Sequence, residues 1–388
     1  MTYLPTADHD ELRAMVRELA EERIAPRAAD IDAKGEFPED LRQLLAQQDL
    51  LGTCFEERHG GTGLDSLGQA IVVEEIARAD ATTSLIPIVQ KLGALPILLE
   101  GTDEQKDRYL PRLASGEWLA AFALTEAAAG SDVASNRMRA TREADCYVIN
   151  GSKRFITHGS VADLLTVFAL TDPEAGGRKG MSAFIVEAST SGLAAPRVEH
   201  KMGIRGSPTA ELTFDDVRIP SENLLGEEGE GFRIAMATLD RSRLSIAAQA
   251  VGIAQGAIDA AVGYAADRTQ FGQRVVDFEG IQFMLADMAS QNEAARQLTY
   301  AAAARVDAND PNLPYWTSSA KLVAGDTAMR VTTDAVQVLG GYGYITEYPV
   351  ERMMRDAKIT QLYEGTQQIQ RLIVARQLLQ RAGVAERG

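Results

Sequence analysis

Cysteine is nearly absent from this 388-residue chain: Cys54 and Cys146 are the only two. They can build neither a disulfide framework nor a CxxC zinc pattern, which fits a reducing compartment. Histidine is also scarce. His9, His59, His158 and His200 lie far apart and form no HExxH, so no metal site is expected. Positive charge is in deficit, with 39 Lys and Arg against 55 Asp and Glu, a formal net charge of −16. Such a chain offers no general positive field to a nucleic-acid backbone, although a few placed donors can hold a small phosphorylated ligand. No run of about 18 apolar residues marks a membrane span. The start, Met1-Thr2-Tyr3-Leu4-Pro5, has neither the basic nor the apolar part of a signal peptide, so a cytoplasmic location is the expectation. Nucleotide loops are missing too. There is no GxxxxGK[ST], and Gly229-Glu230-Gly231 and Gly341-Tyr342-Gly343 lack the third glycine of a Rossmann turn. Ser131 sits in Ala129-Gly130-Ser131-Asp132 rather than GxSxG, so a hydrolase elbow is not indicated.

What is present is an ordinary globular balance, 45% hydrophobic and 24% charged, in a length that suits two or three domains. The first part reads as helices. Asp8 with Glu11 resembles a capping box ahead of Leu12, Met15, Val16 and Leu19, and Thr102 with Gln105 makes a second. Residues 65–79 and 81–99 are further helices, the latter expected to kink or divide at Pro87 and Pro96. Near Trp118 the texture changes to strand-sized runs, among them 120–124, 146–149, 164–168 and 183–186. Helical periodicity returns at Phe232 and persists through 243–266, the stripe Ile281, Met284, Leu285, Met288, and then 314–339 and 366–382. The reading is an α+β protein: a helical domain over 1–118, a β domain over 119–228 and a helical bundle over 229–388.

Three blocks carry a resemblance. The first runs from Phe122 to Asp132, with Thr125-Glu126 at its centre. The second is Gln337-Val338-Leu339-Gly340-Gly341-Tyr342-Gly343. The third is Arg355-Asp356-Ala357-Lys358 leading to Leu362-Tyr363-Glu364-Gly365-Thr366-Gln367-Gln368-Ile369-Gln370-Arg371. Together, in order and over about residues 8 to 380, they resemble the acyl-CoA dehydrogenase family of flavoproteins. The segments Lys201–Ser207 and Leu224–Glu227 are most similar to short-chain, butyryl-type members. The resemblance implies an N-terminal α domain, a middle β-barrel and a C-terminal four-helix bundle. It also implies a homotetramer with one FAD per subunit, an acyl-CoA substrate and an electron-transferring flavoprotein as acceptor.

It further implies roles. Glu364 matches the base that takes the α-proton of the thioester while hydride leaves the β-carbon for flavin N5. A weakly acidic C–H needs a carboxylate in a dry site, where desolvation raises its pKa. Ser242 stands where some members place the base instead, and serine cannot serve. The Glu364 amide and a ribityl hydroxyl would polarise the carbonyl. Thr125 and Thr157 match flavin-binding threonines, flanked by Phe122, Leu124, Gly130, Ser131 and Ile156, and Phe155 replaces a usual Trp over the flavin face. Arg268, Gln270 and Phe271 match the contact to a neighbouring subunit's FAD pyrophosphate. Gln337, Val338, Gly340 and Gly341 match the turn approaching that cofactor, and Thr366 and Gln368 its adenine end. Ser131, Asp240, Arg243, Tyr363 and Gly365 match positions along the substrate.

Some positions depart from the family. Ala127-Ala128 replaces Pro-Gly, His158 replaces Asn, and Glu279 replaces a common Gln. Thr83 matches the place where glutaryl-type members carry arginine, so no cation is expected for a distal carboxylate and the acyl group should be mostly apolar. Two alternatives keep the chemistry: a carrier-protein thioester, or an oxidase that uses oxygen. A non-enzymatic flavin scaffold is opposed by the intact Glu364.

Overall fold

The computed structural model describes residues 3–384. The first domain is helical, with α1 (Ala7–Leu19), α2 (Ala28–Lys34), α3 (Glu39–Gln47), α4 (Ser66–Ala79), α5 (Ala81–Glu100) and α6 (Asp103–Ala114). The cap of α1 is Thr6 with His9, and Asp8 lies inside the first turn instead. The imidazole supplies the acceptor that a glutamate usually brings to a capping box. Asp65 and Asp80 cap α4 and α5, and Thr102 with Gln105 closes the box on α6. Helix α5 runs undivided through both prolines. It is buried on nearly every side, and that packing outweighs the lost backbone donors.

The middle domain holds β1 (Ala120–Ala123), β2 (Arg139–Glu143), β3 (Cys146–Thr157) and β4 (Leu164–Leu170). After the single turn α7 (Gly177–Gly180) come β5 (Met181–Glu187), β6 (Leu193–Val198), β7 (Thr209–Pro220) and β8 (Leu224–Leu225). The strand order is β6-β7-β3-β2-β4-β5-β8, with β1 parallel to β4. Strand β4 shows why the sheet has two cores. Leu165, Val167 and Ala169 pack inward with Tyr147, Phe184 and Phe214. Leu164, Phe168 and Leu170 face the helices with Ala94, Tyr109 and Ile234. A period of two buried on both faces reads as a continuous apolar run.

The last domain comprises α8 (Gly231–Asp267), a hairpin of β9 (Thr269–Gln270) and β10 (Gln273–Arg274), α9 (Glu279–Asp307), α10 (Leu313–Leu339), α11 (Val350–Ala357) and α12 (Gln367–Arg381). Helices α8 and α10 meet along alanines such as Ala247, Ala250, Ala254, Ala324 and Ala328, and α4 and α5 of the first domain complete the same core. Helices α5 and α8 are long and apolar enough by composition to cross a membrane, yet 83% and 72% of their most apolar windows are buried inside the protein.

Candidate active site

Glu364 follows a short 3-10 turn after α11 and precedes the cap of α12, Thr366. Its φ is +51°, and Gly365 follows at +93°. The carboxylate accepts from Ser242 Oγ of α8. Desolvation is the largest influence on it and pushes its pKa up, opposed by the Ser242 hydrogen bond and the cations Arg243, Lys321 and Lys91. Its backbone carbonyl accepts from Gln370 Nε2 at 3.1 Å. Tyr363 donates to Gln249 Oε1, and the Gln249 amide donates to Ser84 Oγ at 3.0 Å, so α5, α8 and this turn are joined beside the carboxylate.

Asp240 and Arg243 lie one helical turn apart on α8, paired at 2.5 Å. Arg243 is buried, and its Nε finds no partner. Burial pushes the Asp240 carboxyl up, and Arg243 holds it back. Thr83 is buried and bonded to the α5 cap Asp80. No cation stands at the Thr83 position itself, but α5 carries a lysine further along. Lys91 is nearly buried there, donates to Gln69 Oε1 at 2.6 Å, and acts on Glu364 electrostatically. It was invisible as a pocket neighbour because it stands two helical turns beyond Thr83.

A second group lies at the edge of the middle domain. Phe122 packs on Phe168 with ring centroids 5.0 Å apart, and Leu124 is buried. The Thr125 segment is held from behind. Buried Lys153 donates to Leu124 O at 3.0 Å and Glu126 Oε1 at 2.9 Å, and Arg154 N donates to Thr125 O at 2.8 Å. Ala127-Ala128 form the tip of a turn closed by Glu126 and Ala129, which leaves Gly130 and Ser131 exposed. A bulge in β3 between Lys153 and Ile156 puts Phe155 at φ +57° and 60% exposed, while Ile156 stays buried and Thr157 half-buried. His158 is buried behind them, edge-on to Phe37 at 5.2 Å, with both ring nitrogens unpartnered. Burial and nearby Lys201 push its pKa down to about 3, so it is neutral.

A third group lines a groove of about 550 Å³. Arg268, Gln270, Val338, Gly340 and Gly341 share it with Tyr342. The Arg268 guanidinium lies 5.3 Å over the Tyr342 ring and has no carboxylate partner among the described residues. Gly340 adopts φ +60°, ψ −134°, which only glycine takes readily, and a Cβ on Gly340 or Gly341 would meet nothing within 4 Å. Gln337, Phe271, Thr366 and Gln368 do not line this groove. Phe271 stands 94% exposed at the hairpin tip, and Thr366 caps α12.

Sequence reasoning missed Lys321 and Gln249 and gave no role to Gln370 of the third block, all three buried around the Glu364 turn. The signal for Lys321 was a charge on the buried stripe Thr317, Ala324, Ala328 of α10.

Comparison with known proteins agrees with this architecture. Family models for the acyl-CoA dehydrogenase N-terminal, middle and C-terminal domains match residues 6–117, 121–217 and 229–379. The chain is 50% identical over 372 residues to the probable acyl-CoA dehydrogenase FadE25 of Mycobacterium tuberculosis, covering 96% of this chain and 95% of that one. It is 52% identical over 366 residues to the cyclohex-1-ene-1-carbonyl-CoA dehydrogenase of Geobacter metallireducens, covering 94% and 96%. The solved butyryl-CoA dehydrogenase of Megasphaera elsdenii superposes with a TM-score of 0.95 at 45% identity, covering 98% and 100%. This chain therefore belongs to the acyl-CoA dehydrogenase family, flavoprotein oxidoreductases that generally use FAD.

Proposed function

We propose that the protein oxidises the Cα–Cβ bond of an acyl-CoA thioester to the trans-2-enoyl-CoA, with Glu364 as the base. One observation carries this reading: a carboxylate with a raised pKa in a turn between α8 and α10, supported by a hydroxyl and three cations. The raised pKa makes Glu364 a stronger base toward the weakly acidic α C–H. Ser242 and the cations keep a share of it ionised, and the neutral acid left after proton uptake suits the dry site. The Glu364 N–H meets no acceptor among the described residues and is free for the thioester carbonyl, where negative charge develops. Arg243, with its unpartnered Nε, is suited to the polar arm of the thioester.

The residues present fit FAD. Arg268 has no carboxylate to satisfy, the Gly340-Gly341 turn leaves room for a ligand, and a pyrophosphate matches a guanidinium fork. Thr125, Phe155 and Thr157 would hold the ring, with Thr366 and Gln368 at the adenine end. When bound, FAD supplies the acceptor for the β-hydride. Electron-transferring flavoprotein is the proposed external acceptor. A homotetramer is the proposed assembly, supported by the exposed side chains of Phe271, Phe283, Leu372 and Leu378.

The uncharged start of α5, with Thr82, Thr83, Leu85 and Ile86, is the basis for expecting a mostly apolar acyl group. Butyryl-CoA and cyclohex-1-ene-1-carbonyl-CoA head the panel to test, since relatives are named for them. Anaerobic addition of each acyl-CoA should bleach the flavin absorbance of the purified holoenzyme. Glu364→Gln should keep its flavin and bind ligand but lose about 10²–10⁴-fold in turnover. Near-normal turnover in that variant would overturn the base assignment, and rapid oxygen uptake without another acceptor would make the enzyme an oxidase.

A further inference from the structure

We propose that Lys321 and Gln370 form a clamp holding the Glu364–Gly365 turn in the geometry that aims the carboxylate. Both are positioning residues, and the proposal rests on Glu364 being the base. The Gly365 carbonyl accepts from Lys321 Nζ at 2.6 Å and from Gln370 Nε2 at 2.9 Å. The same Gln370 amide reaches the Glu364 carbonyl at 3.1 Å. Two successive carbonyls are thereby fixed, across a turn whose first residue is a non-glycine at φ +51°. A residue in that region persists only where its surroundings over-determine it. Gly365 cannot be replaced freely either, because a Cβ there would lie 2.6 Å from Gln370 Nε2.

Lys321 is an odd choice on packing grounds. It is fully buried on α10, on a stripe otherwise built of alanine, threonine and valine. A buried ammonium is costly, and methionine would fill a similar volume without that cost. Lys321 spends its remaining reach on Gln367 Oε1 at 3.4 Å, and Gln367 is itself anchored to Leu322 O and Asp326. The lysine thus ties the turn to the middle of α10 rather than to solvent. It also faces the Glu364 carboxylate electrostatically. Arg243 opposes its charge, Glu364 and Asp326 favour it, and burial brings its pKa down to about 7. Lys91 and Arg243 are the other cations that act on Glu364. Releasing the clamp would let the turn relax and move the carboxylate off the α-carbon. A misplacement of about 1 Å can cost about 10²-fold in rate.

The test uses holoenzyme of Lys321→Met, Gln370→Met and Glu364→Gln, assayed with the best acyl-CoA of the panel. Flavin content, kcat, KM and the flavin absorbance shift on adding a non-reacting acyl-CoA thioether are measured across pH. Lys321→Met should keep its flavin and its thioether affinity while kcat falls by about 10²-fold. Losing a cation beside Glu364 should also move the acid limb of kcat to higher pH. Gln370→Met should lower kcat without moving that limb, since it removes only the amide. A flavin-replete Lys321→Met enzyme with kcat close to the parent overturns the clamp, as does a kcat that falls only in proportion to flavin content. If Lys321→Met does not fold, Gln370→Met decides alone, and parental kcat in that variant overturns the proposal. Parental turnover in Glu364→Gln would instead show that the base reading itself is wrong.

Discussion

At the scale of single residues, the site is where the backbone leaves its ordinary conformations. Of the nine non-glycine residues with positive φ among the described residues, Phe155, His158 and Glu364 lie within or beside the candidate site. Strain of this kind gathers where a side chain must be aimed. None of it was legible in the sequence, because nothing in Phe155 or Glu364 as residue types announces a left-handed turn. Glu364 itself was legible, through the long block around it. The support behind it was not, since Ser242 read only as a residue unable to be the base. Its hydroxyl nevertheless stabilises the ionised form of Glu364. Ser242→Ala should therefore raise the Glu364 pKa further and shift the acid limb of the kcat–pH profile upward by about one to two pH units, as a hydrogen bond to a charged group is worth about 1.5–3 kcal/mol and 1.36 kcal/mol is one unit. A profile that does not move would remove Ser242 from the electrostatics of the base.

At the scale of elements, helices with long periodic stripes were legible and their ends less so. Helix α8 starts at Gly231, one residue before Phe232 where the helical period returns, and its first turns place Ile234 and Ala235 in the core under the sheet. Prolines 87 and 96 do not divide α5, because the helix is buried on nearly every side and its packing holds it together. One contact sets how α5 sits against the middle domain. A Cβ on Gly93 would lie 2.7 Å from Ala120 Cβ and 2.8 Å from Ala121 N, and the Gly93 carbonyl accepts from Thr166 of β4 at 2.8 Å. Gly93→Ala should push α5 off β1, the strand that leads to Thr125. We expect it to cost about 1–3 kcal/mol, read as a lower thermal midpoint and earlier flavin release on heating. An unchanged midpoint would mean that the helix shifts without penalty.

At the scale of the whole molecule, the three domains meet at α11. Arg355 bonds Asp32 of α2 at 2.7 and 3.0 Å, Glu351 of its own helix, and the Met202 carbonyl of the middle domain at 3.0 Å. Next to it, buried Asp356 accepts from Ile204 N at 2.5 Å and lies near the α5 cap Asp80. Burial, with Asp80 and Asp32 adding to it, pushes the Asp356 carboxyl from 3.8 up to about 7. The folded protein therefore binds the proton more tightly than the unfolded chain. The stability this contributes is fully present below about pH 3.8 and is lost as pH rises through about 7. Asp356→Asn should remove that slope, so its thermal midpoint should gain on the parent's between pH 5 and pH 8. A constant gap between the two would show that Asp356 stays ionised. This junction was illegible in advance, since its partners lie more than 150 positions apart in the chain. Only the Arg355-Asp356 block was visible, and it read as a family mark rather than a joint.

That separation has a consequence for how the protein is made. Gln249 of α8 caps the interior of α5 by bonding Ser84, which lies 165 positions earlier. At synthesis rates of about 5–20 residues per second, α5 emerges roughly 8–33 s before the helix that covers it. During that interval a segment apolar enough to enter a bilayer has only part of its cover, from earlier elements such as α4. The nascent chain must be shielded, by the ribosome's surroundings or by a chaperone, until the middle domain has been built and α8 arrives.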